Sequence, residues 1–278
     1  MQADALQDWI GQAFTERDVL SERLVGSFRA TLEPYLAPVA DGVAPLGSHW
    51  CLFTTREPMA GLGEDGHPER YPHMPPPPLP RRMWAGGRLE LCGSLRIGDR
   101  VERTTTITDI RKKQGSSGEL WFVTVDHVYA TDRGIAIRER QNIVYRAPAE
   151  PRSGASTSPQ PAGTAPDIPV VWTVKTPPAL LFRYSALIFV AHRIHYDLPY
   201  ATEVEGYEGL VVHGPLQATL LLNAIADTLG ASPAGFSYRG VSPAIGGTDL
   251  DICVEASGGR RFHTRSGRGV HMTGTAEA

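Results

Sequence analysis

The sequence has few cysteines and no long hydrophobic run, and each shortage excludes a class of protein. Its 278 residues include only three cysteines, Cys51, Cys92 and Cys253. An odd number of widely separated cysteines fits neither a disulfide framework nor the close ligand spacing of a zinc site. No stretch of about 18 apolar residues occurs, which argues against a membrane-spanning helix. We therefore expect a protein of the reducing cytoplasm.

The chain also lacks an excess of charge of either sign. Lys and Arg total 27 against 30 Asp and Glu, a formal net charge of −3. This balance does not favour nucleic acid or an anionic membrane surface as a partner. The first ten residues carry acidic side chains and no basic cluster before an apolar run, so we predict no signal peptide.

The secondary-structure pattern indicates two halves of similar organisation. Apolar residues recur at helical intervals over residues 4–33, and a helix is predicted again at about 215–229. Segments rich in β-forming residues lie at 88–92, 100–110, 120–129, 134–145, 237–239, 248–255 and, more weakly, 261–272. These elements predict an α+β fold whose sheet is mostly antiparallel.

A segment poor in large apolar residues separates the two halves. Residues 148–169 are dense in Pro, Ser, Gly, Ala and Thr, which is typical of a linker. We therefore predict an N-terminal domain over residues 1–147 and a C-terminal domain over residues 170–278.

The start of the second predicted helix is a candidate anion site. Gly214 is tolerated at an N-cap and Pro215 fits the first helical position, while Gly230 is suited to the end of the helix. Backbone N–H groups in the first turn have no partner within the helix, and the helix dipole places positive charge behind them. Such a terminus can hold an oxyanion. His213 precedes it and either caps the local backbone or lines a pocket.

A candidate base and a carboxylate lie shortly before this helix. His195 and Asp197 are two residues apart, so they would share one face of a strand, or the carboxylate could orient the imidazole in a turn. On spacing alone, His195 could equally be a hydrogen-bonded loop histidine.

Five strings carry a resemblance to a known family, at residues 79–87 (LPRRMWAGG), 182–187 (FRYSAL), 192–197 (HRIHYD), 205–207 (EGY) and 212–216 (VHGPL). They resemble the R-specific enoyl-CoA hydratases, which form the MaoC-like superfamily. Within it they are most similar to the double-hotdog branch of mesaconyl-CoA and itaconyl-CoA hydratases and hydroxyacyl-thioester dehydratases. The resemblance spans most of the chain. It implies a double hotdog, with two antiparallel sheets each wrapped around a helix.

This sequence departs from the motif of the superfamily, and one departure matters for catalysis. The catalytic histidine of the motif falls on His195, but the aspartate five positions earlier falls on Val190, which cannot exchange a proton. The asparagine and proline of the motif fall on His192 and Arg193. We therefore expect His195 to act alone, or with Asp197, Tyr200 or His192, whereas an inactive remnant is the competing interpretation.

The resemblance implies a hydro-lyase acting on an enoyl thioester. The N–H of Gly214 would hold the thioester oxygen, and His195 would activate water and exchange the α-proton, with Asp197 and His213 completing the predicted catalytic set. The favoured substrate is a short, branched, dicarboxylic enoyl-CoA. Dehydration of fatty-acid-type 3-hydroxyacyl chains is the alternative.

The remaining candidates are predicted to bind the substrate. Arg81 and Arg82 suit coenzyme A phosphates or form a solvated basic pair, and Arg183 or Arg193 would neutralise a free carboxylate. The set is completed by three further residues, Trp84, His192 and Tyr200.

No cofactor is expected, because coenzyme A is part of the substrate. His192, His195, Asp197 and His213 are of metal-ligating types, yet the resemblance implies no metal. The resembled family commonly dimerises, so we expect a homodimer. Two other classes stay open, which are an acyl-CoA thioesterase, disfavoured because the first helical turn has no acidic residue, and a non-catalytic acyl-thioester binding module.

Overall fold

The described part of the chain forms ten β-strands and four α-helices. The computed structural model describes residues 2–115, 118–147, 168–255 and 260–277. The helices are α1 (Gln2–Gln7), α2 (Glu22–Leu32), α3 (Pro178–Leu187) and α4 (Gly214–Leu229). The strands are β1 (Ala13–Val19), β2 (Arg81–Leu91), β3 (Arg100–Gly115), β4 (Gly118–Thr131), β5 (Gly134–Arg146), β6 (Val170–Lys175), β7 (Gly235–Gly240), β8 (Asp249–Val254), β9 (Arg261–Ser266) and β10 (Gly269–Glu277).

The strands form one antiparallel sheet, in the order β1-β3-β4-β5-β2-β7-β10-β9-β8-β6. Five strands come from each half of the chain, and the halves meet where residues 86–90 of β2 pair with residues 235–239 of β7. The two sheets that the resemblance implied are therefore joined edge to edge, within the α+β fold that the sequence predicted.

Helix α4 is the central helix of the C-terminal half. Every residue from Leu216 to Ala226 is buried, and the helix packs against β7, β8, β9 and β10. It ends at Gly230, whose φ of 69° is the left-handed conformation that glycine adopts without steric strain. Because α4 is buried on all sides, its position and the direction of its first turn are fixed by the core.

The prediction of helical structure over residues 4–33 is wrong for much of that range. Residues 4–33 form α1, the edge strand β1 and then α2, with only the last of these burying an apolar stripe of Val25, Phe28 and Leu32. Strand β1 alternates exposed and half-buried residues as it pairs with β3, so pairing with a neighbour outweighed the local helical pattern. Strand β6 and helix α3 were not predicted, and the predicted linker lies almost entirely outside the described residues.

The connection from α3 to α4 contacts a loop of the N-terminal half. The N–H of Arg193 donates to the carbonyl of Asp65 at 2.9 Å, and its guanidinium donates to the carbonyl of Glu64 at 3.1 Å. A side chain at Gly66 would collide with the carbonyl of Ala191, 1.9 Å from the position of its Cβ. The two halves thus share one corner, which holds the candidate site. Among the described residues, no helix has both the length and the apolar character to cross a membrane.

Candidate active site

His195 is buried at the centre of this corner. It ends a short 3-10 turn, Arg193–His195, and its Nδ1 lies 2.7 Å from the carbonyl oxygen of Val211. A carbonyl only accepts hydrogen bonds, so Nδ1 carries the proton and Nε2 is the basic nitrogen. Burial lowers the pKa of His195 to about 4, although the hydrogen bond to Val211 opposes the shift. The imidazole is therefore neutral at pH 7 and able to accept a proton.

His213 lies directly against His195, with the two rings stacked and their centroids 3.6 Å apart. Its Nε2 is 2.8 Å from Oγ of Ser185 on α3, and burial holds its pKa well below the usual value for histidine. It is the N-cap residue of α4, but its side chain forms no capping hydrogen bond. The side chain of His213 therefore contacts His195 and Ser185 and does not cap the helix.

The predicted partnership between His195 and Asp197 is wrong. The Asp197 carboxylate accepts hydrogen bonds from the Arg193 guanidinium at 2.8 and 2.9 Å and from the N–H of Tyr200 at 3.2 Å. These contacts lower the pKa of Asp197, and Arg193 is the main cause. In the part of the chain that the structure describes, Asp197 makes no hydrogen bond to His195. Asp197 therefore braces the turn that carries His195.

The first turn of α4 lies beside the corner and packs against the ring of Trp84. Gly214 is the first helical residue, one earlier than the sequence predicted, and its missing side chain leaves room for Trp84. A Cβ there would lie 2.8 Å from Cε3 of Trp84, whose ring is stacked on Tyr238 at 4.7 Å. The free N–H groups of this turn point away from the helix, as an oxyanion site requires.

A cavity of about 540 Å³ opens beside the corner. Its wall includes Arg82, Trp84, Ser185, Val190 and Pro215, which come from both halves of the chain. Most of the lining is apolar, as expected for an acyl group, and Val190 marks the place of the aspartate that the superfamily motif leads one to expect.

The other predicted substrate-binding residues are placed differently. Arg81 forms an ion pair with Glu205 at 3.1 Å, and Arg193 is paired with Asp197 and lies over the ring of Tyr200. Arg183 donates to the carbonyl of Ala30 outside this cavity. Tyr200 is buried behind the corner, with its hydroxyl 3.5 Å from Glu205. These residues support the architecture of the site.

Two arginines lie in the cavity wall, Arg82 and Arg103, and Arg103 is paired with Glu16. The guanidinium carbon of Arg82 lies 5.0 Å from the ring centroid of Tyr71, and its Nε is buried with no hydrogen-bond partner. Within the described residues, no carboxylate pairs with it. Arg82 also contributes to the lowered pKa of His192, which places its charge near the histidines.

Two residues of the N-terminal loop were missed by the sequence analysis. Asp65 accepts from the backbone N–H and from Nδ1 of His67, at 2.9 and 3.0 Å. The His67 ring lies 4.0 Å from that of His192, which in turn meets His195 edge-on at 5.4 Å. No local signal marks them as functional, because more than 120 residues separate this loop from His195.

A buried carboxylate near the cavity was also missed. Glu139 accepts hydrogen bonds from Trp50 Nε1, the Tyr129 hydroxyl and the Gln141 amide at 2.8, 2.8 and 2.9 Å. Burial raises its pKa. His49, Trp50, Tyr129 and Gln141 all contribute to the cavity lining, so this network fixes a polar wall in an otherwise apolar space.

Comparison with known proteins identifies the family. The model for hydroxyacyl-thioester dehydratase type 2 matches residues 47–246. The mesaconyl-C(4)-CoA hydratase of Chloroflexus aurantiacus is 42% identical over 258 residues, covering 91% of this chain and 89% of the relative. The chain belongs to this family. As a member of the type 2 hydroxyacyl-thioester dehydratases, it is an enzyme of the hydratase and dehydratase class.

Solved structures agree on the fold. HtdX of Mycobacterium tuberculosis aligns with a TM-score of 0.66 at 15% identity, over 96% of this chain and all of that one. Another M. tuberculosis protein, described as a double hotdog, aligns with a TM-score of 0.57 at 14% identity, over 98% of each chain. At these identities the likeness concerns the fold alone, and it confirms the double hotdog.

We expect Gly214→Ala to lower activity at least tenfold and to reduce the melting temperature. The new methyl group would collide with Trp84, which Tyr238 holds from its other face. The displaced ring or helix start would spoil the oxyanion position. Gly26→Ala on α2 is the matched control, because a Cβ there meets nothing within 4 Å. Equal kcat and melting temperature for Gly214→Ala and wild type would contradict the proposed close approach.

Proposed function

We propose that the protein reversibly adds water to the double bond of a short, branched, dicarboxylic enoyl-CoA of the mesaconyl or itaconyl type. Arg82 carries this proposal, because it is a cation without a carboxylate partner among the described residues and lies in an acyl-sized cavity. The Chloroflexus relative is named for a substrate of this class. A carboxylate on the substrate would complete the charge balance of the site.

The geometry suits addition of water next to a polarised thioester. The N–H of Gly214 would hold the thioester oxygen, where negative charge develops as water bonds to Cβ. Neutral His195 would take the proton of that water on Nε2, while Val211 keeps the ring in the required tautomer. Because the His213 ring is stacked on His195, the imidazole cannot turn away from this position.

Charge placement favours Arg82 over the arginines that the sequence suggested for the free carboxylate. Arg193 is neutralised by Asp197, and Arg183 contacts a backbone carbonyl outside the cavity. The planar guanidinium of Arg82 can bind a carboxylate through two parallel hydrogen bonds. Its position also makes it a less suitable partner for coenzyme A phosphates, since the wall that it occupies belongs to the acyl cavity.

Dehydration of longer, fatty-acid-type 3-hydroxyacyl thioesters is the second candidate. The family description names hydroxyacyl thioesters, and the cavity wall includes Leu52, Met59, Ile188 and Phe189. This apolar lining would accept an alkyl chain, but such a substrate would leave Arg82 uncompensated.

The test is a comparison of charged and uncharged substrates. Loss of enoyl absorbance would be followed with mesaconyl-CoA, itaconyl-CoA, crotonyl-CoA and a medium-chain enoyl-CoA, with mass analysis of the products. We expect a gain of one water, and a higher kcat/KM for the dicarboxylic substrates. Preference for the medium-chain substrate would support the second candidate, and release of free coenzyme A without hydration would indicate a thioesterase.

Arg82→Gln should remove the preference for a dicarboxylic substrate. A charge-assisted bidentate pair contributes roughly 2–3 kcal/mol, so kcat/KM for the carboxylated substrate should fall by about 30- to 160-fold. The value for crotonyl-CoA should change little. Arg183→Gln is the matched control, and a larger effect there than at Arg82 would overturn the assignment.

Three further expectations stay predictions. They are a homodimer, a cytoplasmic location and catalysis without a metal or cofactor other than the coenzyme A of the substrate. Light scattering, cell fractionation and metal analysis of the purified enzyme address them in turn.

A further inference from the structure

The site has one clear base for a reaction that moves two protons. Hydration removes a proton from water and delivers a proton to Cα of the thioester. The superfamily motif would place an aspartate beside the histidine, but this chain has Val190 in the cavity wall. Asp197 does not replace it, because its carboxylate is held by Arg193. A second proton-transfer group must therefore come from another segment, unless His195 performs both steps.

The loop around Asp65 provides a histidine, His67, that is suited to proton transfer. The Asp65 carboxylate lies 3.0 Å from Nδ1 of His67 and also accepts from the backbone N–H of that residue. Two bonds to one residue fix the ring and leave its Nε2 directed away from Asp65. A carboxylate behind an imidazole orients the ring and stabilises its protonated form. Although burial raises the pKa of Asp65, the contacts with His67 lower it to about 2, so the carboxylate is ionised.

Backbone contacts hold the loop against the corner. The Asp65 carbonyl accepts from the N–H of Arg193, two residues before His195. Gly66 has a φ of 85°, and a side chain there would collide with the Ala191 carbonyl. Both the backbone conformation and the lack of space therefore require glycine. This packing sets His67 against the segment that follows Val190.

His192 links this pair to His195. Its ring centroid is 4.0 Å from that of His67 and 5.4 Å from that of His195. Burial, helped by the two neighbouring histidines, lowers the pKa of His192 to about 2. It is therefore a neutral imidazole, which can accept a proton on one nitrogen as it gives up a proton from the other.

We propose that the Asp65–His67 pair is the second proton-transfer group of the site and takes the place of the carboxylate that Val190 lacks. The proposal rests on the proposed hydration. Water bonds to Cβ as His195 takes one of its protons, and the electrons of the double bond move to the thioester oxygen. The resulting enolate takes its α-proton from His192, which is resupplied by His67. Solvent then reprotonates His67 and removes the proton from His195.

The position of His67 suits exchange with solvent. The side chain of His67 is 14% exposed, whereas His195 as a whole residue is only 8% exposed. Its two neighbours in the chain, Gly66 and Pro68, line the cavity, as do Val190 and Ala191. The pair thus lies between the cavity and the surface, where a proton donor must be to be recharged after each turnover.

The same side chains also define a rival ligand set. Ligand atoms of Asp65, His67 and His192 all lie within 4.8 Å of one another, which is close enough for a divalent cation. A bound cation would take the nitrogen lone pairs that proton transfer needs. Metal content is consequently part of the test.

The test is a double-mutant cycle with the best enoyl-CoA substrate. We expect His67→Gln to lower kcat by about 100-fold with KM changed less than threefold, and Asp65→Asn to lower kcat by about tenfold. The double variant should resemble His67→Gln, because the two residues act as a unit. Exchange of the product α-hydrogen with deuterated water should fall in parallel with hydration. His73→Gln, a histidine stacked on Phe14 outside the site, is the control.

Four outcomes would overturn the proposal. The first is a kcat within twofold of wild type for His67→Gln. The second is a loss of activity with an equal loss of product binding or of melting temperature, which indicates a structural role. The third is a stoichiometric metal whose removal by a chelator abolishes turnover. The fourth is a wild-type enzyme that hydrates no enoyl thioester; only this last result also refutes the proposed function.

Discussion

His195→Ala is expected to lower kcat/KM for enoyl-thioester hydration by about 1000-fold. The variant removes the only histidine of the corner whose hydrogen bond to a backbone carbonyl fixes the tautomer and leaves Nε2 basic. General base catalysis contributes about 100- to 10,000-fold in rate, and a 1000-fold loss is equivalent to roughly 4 kcal/mol of transition-state stabilisation. The measurement is the initial rate of loss of enoyl absorbance, with mass analysis of the product.

The pH dependence gives an independent check on the same residue. Because burial lowers the pKa of His195 to about 4, its neutral form persists throughout the range above pH 5. The kcat/KM of wild type should thus be flat between pH 6 and 7 and fall only near pH 4 to 5, as far as the protein stays folded. His73→Gln should match wild type. A His195→Ala variant within tenfold of wild type would contradict the assignment of His195 as the base.

Local signals were enough to predict helix α4, whose first turn is the candidate oxyanion site. Pro215 and Gly230 delimited α4 to within a residue, because helix termini depend on residues close in sequence. The four long β-segments of the first half were predicted in the correct order and appear as β2 to β5. The resemblance supplied the double hotdog, which composition and periodicity left at the level of an antiparallel α+β fold.

The errors concern the directions that side chains take in the folded structure. Asp197 was expected to orient His195, but Arg193, four residues before it, captures the carboxylate in the folded turn. Arg183 was a candidate for the substrate carboxylate, whereas the fold places its guanidinium against Ala30 of α2. Side-chain direction decided both cases, and it depends on packing that a sequence pattern does not contain.

The two halves of the protein contribute different residues to one candidate site. The C-terminal half supplies His195, His213 and the first turn of α4, while the N-terminal half supplies Arg82 and Trp84 from the end of β2 that also pairs with β5. Loss of the motif aspartate in one half is consequently open to compensation by the other. The proposed Asp65–His67 pair would be such a compensation for the departure at Val190.

Acidification from pH 7.5 to 5 is expected to destabilise the fold by several kcal/mol. Burial is the main cause of lowered histidine pKa values, to about 3 for His49 and His127, about 2 for His192 and about 4 for His195 and His271. The unfolded chain binds these protons near pH 6.5, so their stability contribution is complete above that pH and decreases as pH falls towards the folded values. At pH 5 each of these histidines lowers the free energy of unfolding by up to about 2 kcal/mol relative to neutral pH. The melting temperature should therefore fall by roughly 10 °C or more. Calorimetry at both pH values tests this, with His127→Gln expected to show a smaller shift; equal melting temperatures for wild type at pH 7.5 and 5 would contradict the neutral burial of these histidines.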